Sequence, residues 1–339
     1  MRKRTITVFG GSGFVGRHLV RRLAADGWTI RIAVRDPEDA AYMKPMGDVG
    51  QIVPIPTNVL NEESVARAVE GVDCVVNLVG ILSQWGRQKF ENIHVTGAAN
   101  IAKAATAADA SRMVHISAVG VDAEALSLYG RTKAAGEAAV REAFPAAVIL
   151  RPSVIFGPED SFFNLFAGLA RFTPALPVFG CPVIPKLTWF SDKGTVHCDI
   201  YGDGGTKLQP VYVGDVADAI VNALKTSAAA GETYELGGPQ VYSSKEIMEL
   251  LLKHIQRKRW LIPIPFFWLS FYAWFLEKWP ETIITCDQIN QLKTDNVAGS
   301  DAKGLADLGV EATGADTILP SYLTRFQLSR NRNIGEAFN

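Results

Sequence analysis

Through the first half of the chain, short runs of β-branched and apolar residues alternate with longer stretches whose apolar positions recur every three or four residues. Alternation between a strand period and a helix period is the pattern of parallel strands joined by crossover helices. It predicts strands near 5–9, 29–34, 51–54, 74–78, 113–117 and 148–150, with helices near 14–26, 61–70, 90–108 and 129–144. Gly27 and Gly71 stand where the first two helices must stop. The fold class is therefore α/β, a doubly wound parallel sheet. After Pro158 the alternation weakens, and Pro174, Pro177, Pro182 and Pro185 surround a stretch without clear periodicity. A strand at 209–213, a helix at 215–224, a strand at 233–236 and a helix at 243–255 follow. The expected division is a nucleotide-binding domain over 1–158, to which parts of 207–238 return, and a smaller C-terminal α/β domain over 159–339.

The glycines give the first domain its chemistry. Ile6-Thr7-Val8-Phe9 runs into Gly10-Gly11-Ser12-Gly13-Phe14-Val15-Gly16 and then into a helical stretch from Arg17. Strand, glycine turn, helix and second strand fill about 30 residues, the context that makes a glycine triplet a dinucleotide (Rossmann) motif. Gly10 permits the tight turn, Gly13 lets the backbone approach a pyrophosphate, and Gly16 lets the helix pack closely on the sheet. The helix start, at Phe14, attracts the phosphates. Where an acid would hold the ribose 2′-hydroxyl of NAD, the chain reads Val34-Arg35-Asp36. Arg35 suits the 2′-phosphate of NADPH, and Arg17 can add a second positive charge. Asp36 keeps NAD(H) open as the alternative. Asn58 and Val59, after the third strand, are placed for the adenine, and Asn77 to Gly80, after the fourth, for the nicotinamide-side ribose and the pyrophosphate.

Composition removes several classes. Thirty-four Lys and Arg against 35 Asp and Glu leave a net charge of -1 over 339 residues, which gives nucleic acid no electrostatic footing. Cys74, Cys181, Cys198 and Cys286 have no paired spacing, so no disulfide framework and no metal site is expected. A strand beginning at Thr5 leaves no room for a signal peptide. No apolar run reaches the roughly 18 residues of a membrane span. The exceptional segment is 260–279, where Trp260, Phe267, Trp268, Phe271 and five further aromatics crowd together behind Lys253, Arg257, Lys258 and Arg259. Pro263 and Pro265 leave only 266–276 as helix. That helix is either core or a surface that docks to a membrane interface or an apolar subunit.

Tyr129-Gly130-Arg131-Thr132-Lys133 resembles the catalytic YxxxK pair of extended or atypical short-chain dehydrogenases. The resemblance implies that Tyr129 exchanges a proton with substrate and that Lys133, one turn later, bonds the nicotinamide ribose and lowers the tyrosine pKa. A closer similarity covers nearly the whole chain. Arg151-Pro152-Ser153-Val154-Ile155-Phe156-Gly157-Pro158, Gln209-Pro210-Val211-Tyr212-Val213-Gly214-Asp215, Lys293-Thr294-Asp295-Asn296 and Leu319-Pro320-Ser321-Tyr322-Leu323 resemble the complex I alpha-subcomplex subunit 9 family. That resemblance implies an accessory subunit of NADH:ubiquinone oxidoreductase holding NADPH, with Pro152 beside the cofactor. It implies complex I subunits, the membrane surface and quinone or lipid as partners. The location implied is peripheral, on the cytoplasmic side of a bacterial inner membrane or the matrix side of an organelle. Two departures stand out. Residues 179–201 look like an insertion. At the position of the carbonyl-binding Ser or Thr the chain has Ala118, with Ser117 one residue out of register. Losing such a donor costs about a hundredfold or more in rate. Two readings follow: an NADPH-holding accessory or assembly subunit, or an active NADPH-dependent oxidoreductase on an apolar carbonyl or quinone-like compound.

Overall fold

The first strand, β1 (Thr5–Phe9), buries Ile6, Val8 and Phe9 completely, and buries Thr7 too, because its hydroxyl donates to the Ala68 carbonyl at 2.7 Å. A strand buried on both faces belongs in the middle of a parallel sheet. In the computed structural model, which describes residues 4–86, 88–182, 186–188, 197–276 and 285–327, that is its place. The chain continues as α1 (Phe14–Ala25), β2 (Thr29–Val34), β3 (Ile52–Pro56), α2 (Glu62–Val69), β4 (Cys74–Asn77), α3 (Ala98–Ala107), β5 (Arg112–Ile116), α4 (Leu128–Ala143), β6 (Val148–Pro152), α5 (Val213–Lys225) and β7 (Thr233–Leu236). The seven strands lie in the order β7-β6-β5-β4-β1-β2-β3, each pair parallel. The strand order reverses between β1 and β4, the switch point at whose carboxyl edge such sheets bind ligands.

Local sequence explains the boundaries. In α1, Gly16, Leu19, Val20, Leu23 and Ala24 make one buried stripe. Gly27 (φ +78) then turns left-handed, with its N–H on the Ala24 carbonyl, and ends the helix. The Asn61 side chain caps α2 by accepting from the Ser64 N–H at 2.8 Å. The continuous helix predicted over 90–108 is instead a π-helical turn, Glu91–Gly97, leading into α3. The cause is α4. A Cβ on Gly136 would lie 2.1 Å from the His94 carbonyl oxygen, so the two helices touch backbone to backbone and the turn widens at the contact.

The chain divides into two units. Met1–Ser153, Val213–Gly237 and Ala298–Ala312 form the first; Val154–Tyr212, Gly238–Val297 and Thr313–Asn339 form the second. The sequence expectation places the change at 158 and leaves 298–312 with the C-terminal part. That short segment joins the sheet unit without any periodicity of its own: the Gly299 N–H donates to the Glu235 carboxylate, and Asn222 donates to the Leu308 carbonyl. In the second unit, the strand predicted over 209–213 is only Val211–Tyr212, paired parallel with Ile155–Phe156. Pro210 has no N–H for a ladder, and helix starts at Val213. The second core gathers Phe156, Phe163, Ile247, Leu251 and Leu319. Residues 183–185 and 189–196 of the insertion read at 179–201 lie outside the described residues. Its two short strands, Lys186–Thr188 and His197–Asp199, pair antiparallel.

Candidate active site

The glycine turn after β1 is built so that only glycine fits. Gly10 has φ +73, and a Cβ there would stand 3.2 Å from the Leu78 backbone. A Cβ on Gly16 would meet the Gly11 carbonyl oxygen at 2.3 Å. Gly13 is exposed and starts α1 with no side-chain cap bond, so no capping side chain takes up the N–H groups at the helix amino end. Phe14 is half-buried and meets His18 edge-on. This cradle has the shape and polarity for a pyrophosphate.

At the end of β2, Arg35 is exposed, while the Asp36 carboxylate turns back to accept the Glu38 N–H at 2.9 Å. The acid is thus used to start the 3₁₀ segment that follows, and Arg35 stands forward. Asn58 is exposed and holds its own turn through the Leu60 N–H. Val59 is half-buried; its carbonyl accepts from Asn100. Gly80 is exposed at the end of β4.

Two of the predicted positions are buried. Asn77 is 1% exposed: its Oδ1 accepts the Val79 N–H, and its Nδ2 donates to His115 Nδ1 at 3.0 Å. Both ends of the Asn77 carboxamide are thus bonded within the protein. Pro152 is buried too, its carbonyl accepting the Val119 N–H.

Tyr129 and Lys133 begin α4, whose amino end is capped by the Ser127 hydroxyl accepting from Gly130. The half-buried Tyr129 ring meets His94 edge-on at 5.3 Å and Phe90 at 6.0 Å, while Phe90 stacks on His94. His94 is the residue the motif reading missed. Its Nε2 accepts the Ile81 N–H at 3.2 Å, so the proton sits on Nδ1 and is donated to Thr132 Oγ1 at 3.1 Å; Thr132 in turn donates to the Tyr129 carbonyl. Burial, with the Lys133 charge nearby, pushes the His94 pKa down to about 3. The signal was present as a histidine in the helical stretch 90–108 and a threonine within the YxxxK spacing.

Burial shifts both groups of the pair. Burial raises the Tyr129 pKa to about 12, and Lys133, lowered by its own burial to about 8, donates to the Ile116 carbonyl at 2.7 Å. Tyr129 is a protonated phenol at neutral pH. Ser117 is 4% exposed, its Oγ buried and without a hydrogen-bond partner among the described residues, whereas Ala118 is half-exposed beside it. His115 Nε2 is likewise buried and unpartnered.

The NAD dependent epimerase/dehydratase family matches residues 6–237, which take in both the glycine cradle and the Tyr129 cluster. Over 326 residues the chain is 32% identical to the mitochondrial NADH-ubiquinone oxidoreductase 40 kDa subunit of Neurospora crassa, covering 95% of this chain and 80% of that one. Over 309 residues it is 33% identical to NADH dehydrogenase [ubiquinone] 1 alpha subcomplex subunit 9 of Mus musculus, covering 91% and 76%. The chain belongs to the epimerase/dehydratase family and, within it, to the alpha subcomplex subunit 9 group. Among solved structures, the Thermus thermophilus UDP-glucose 4-epimerase in complex with NAD shares the fold, with a TM-score of 0.66 at 17% identity over 95% of this chain and 98% of that one. Membership in the epimerase/dehydratase family makes a nicotinamide dinucleotide the cofactor for which the cradle is suited.

Proposed function

We propose that this subunit 9 family chain is an accessory subunit of respiratory complex I that holds NADPH as a structural ligand. The observation that carries the reading is the contrast just after β5: the Ser117 hydroxyl is buried, and Ala118 occupies the half-exposed position from which a carbonyl would be polarised. Gly10, Gly13 and Gly16 would hold the pyrophosphate, Arg35 the 2′-phosphate, and Tyr129 with Lys133 the nicotinamide-side ribose. When bound, the dinucleotide supplies hydride chemistry; this chain's residues orient it and keep Tyr129 protonated. A ligand held at a thousand times its dissociation constant stabilises the fold by roughly 4 kcal/mol, reason enough for an intact site without turnover.

The second unit supports peripheral attachment to the membrane. Phe267, Trp268 and Phe271 are exposed on helix Phe266–Leu276, and Phe172, Trp260 and Ile262 are exposed in the same unit. Arg257 has its pKa lowered by burial and by the charges of Arg259 and Arg171, so three cations lie near one another, with Arg259 next in sequence to Trp260 and Arg171 next to Phe172. Such a face suits an anionic headgroup layer, and no described helix is long and apolar enough to cross a membrane. Tyr272, Trp274 and Phe275 have side chains outside the described set, and Trp279 lies outside the described residues.

The alternative, an active reductase on an apolar carbonyl or quinone-like compound, is favoured by one feature: Tyr129 is protonated and partly open, as a proton donor must be. Purification followed by nucleotide extraction separates the readings. The accessory reading predicts bound NADPH that short carbonyls, long-chain ketones and quinones leave reduced; rapid oxidation by any of them supports the reductase.

A further inference from the structure

Tyr42 lies outside every dinucleotide motif, on the 3₁₀ segment Glu38–Met46 that follows Arg35 and Asp36. Its ring is 47% exposed, so it is not there to fill the core; Ala40 and Met43, both fully buried, anchor the segment. The side chain nevertheless has two attachments. Its hydroxyl donates to the Ser12 carbonyl inside the glycine turn at 2.7 Å, and the Arg17 guanidinium lies over its ring, 5.6 Å from the centroid. The segment enters from a fixed point, since Asp36 accepts the Glu38 N–H. The two strand ends it bridges are joined by the Gly10 N–H on the Ala33 carbonyl at 3.3 Å.

We propose that Tyr42 is a positioning residue for a ribose 2′-phosphate: it ties the exit of β2 to the glycine turn and holds Arg17 where, with Arg35, it faces the dianion. The proposal rests on the NADPH reading above. Its physical basis is twofold. A long, flexible arginine loses side-chain freedom when it binds an anion, and an aromatic face that already orients the guanidinium lowers that cost. The Ser12 carbonyl is an acceptor in the turn that receives phosphates, and the phenol occupies it. Glu38 and Asp39, exposed on the same segment, oppose any anion, which makes the placement of the cations decisive.

The test is binding of adenosine 2′,5′-bisphosphate and adenosine 5′-monophosphate to the full chain by titration calorimetry, for wild type, Tyr42→Phe, Tyr42→Leu and Arg17→Met. Tyr42→Leu should weaken the 2′-phosphorylated probe about two- to fivefold and leave the monophosphate nearly unchanged. Arg17→Met should give the same selective loss, and Tyr42→Phe, which keeps the ring face, should retain most of the preference. Equal weakening of both probes by Tyr42→Leu would make Tyr42 a mere strut for the turn and overturn the proposal, as would full retention of the preference. A wild type that binds the two probes equally defeats the NADPH reading and this proposal together. A wild type that prefers the bisphosphate while Tyr42→Leu keeps that preference defeats this proposal alone.

Discussion

The two halves of the carboxyl edge of one sheet are built in opposite ways. On the β1–β2 side, Gly13, Arg35 and Asn58 are exposed, and the turn is shaped by glycines that leave backbone open. On the β4–β5 side, Asn77, His94, His115, Ser117 and Lys133 are all buried, and most of their polar atoms are satisfied within the protein. The first half keeps its hydrogen-bonding and charged groups for something that arrives; the second has turned most of its own inward. On the proposed reading, binding and turnover would be separable in this chain, since the residues assigned to each sit by different strands with different burial.

The largest effect that tests this contrast is at Gly16. Replacement by Ala puts a methyl 2.3 Å from the Gly11 carbonyl, which forces helix and turn apart. We expect a loss of about 3 kcal/mol of stability together with loss of nucleotide binding, measured by thermal melting and titration. A Gly16→Ala protein that melts and binds like wild type would show that the cradle is looser than the packing requires.

The buried half has a pH signature. His94 titrates near 6.5 when unfolded and at about 3 when folded, so the unfolded chain takes up the proton first. Stability present above pH 6.5 should be lost as pH falls toward about 3, at up to roughly 1.4 kcal/mol per pH unit. His115, whose pKa is also pushed well below the ordinary value by burial, acts in the same direction. His94→Gln should flatten the pH dependence of the melting temperature by about half; an unchanged slope would place the acid sensitivity elsewhere.

Smaller effects separate the two halves. Arg35→Ala should weaken NADPH about tenfold and NADH little, since one charged contact is worth about 1.5 to 3 kcal/mol. Equal weakening of both would remove Arg35 from 2′-phosphate recognition. Smallest of all, Tyr129→Phe should leave stability within about 0.5 kcal/mol. In the second unit, Phe267→Glu with Phe271→Glu should release the protein from anionic liposomes in a sedimentation assay; a wild type that stays in the supernatant contradicts the docking face.

Much of this was legible in the sequence, for reasons that vary by residue. Helix α1 and the glycine turn were readable because glycine spacing and a buried stripe are local properties. Strand 233–236 was readable even in a region of weak pattern, since its β-branched and aromatic residues are flanked by turn formers. The inward turn of Asn77 was not, because the partner that captures it, His115, is on another strand. The π-helical turn was hidden for the same reason: it answers to Gly136 on α4. Segment 298–312 carries no periodicity, and its place depends on bonds to Glu235 and Asn222. The pKa shifts of Tyr129 and Lys133 come from burial, which spacing alone does not encode.

The central claim, that this chain holds its nucleotide without using it, is tested most directly by loading the protein with NADPH and following the reduced nicotinamide absorbance over many minutes with a large excess of quinone or long-chain ketone. The account predicts a flat trace for wild type, a flat trace for Tyr129→Phe, and recovery of intact NADPH on denaturation. A decay in wild type that Tyr129→Phe abolishes would contradict it and make this chain a reductase.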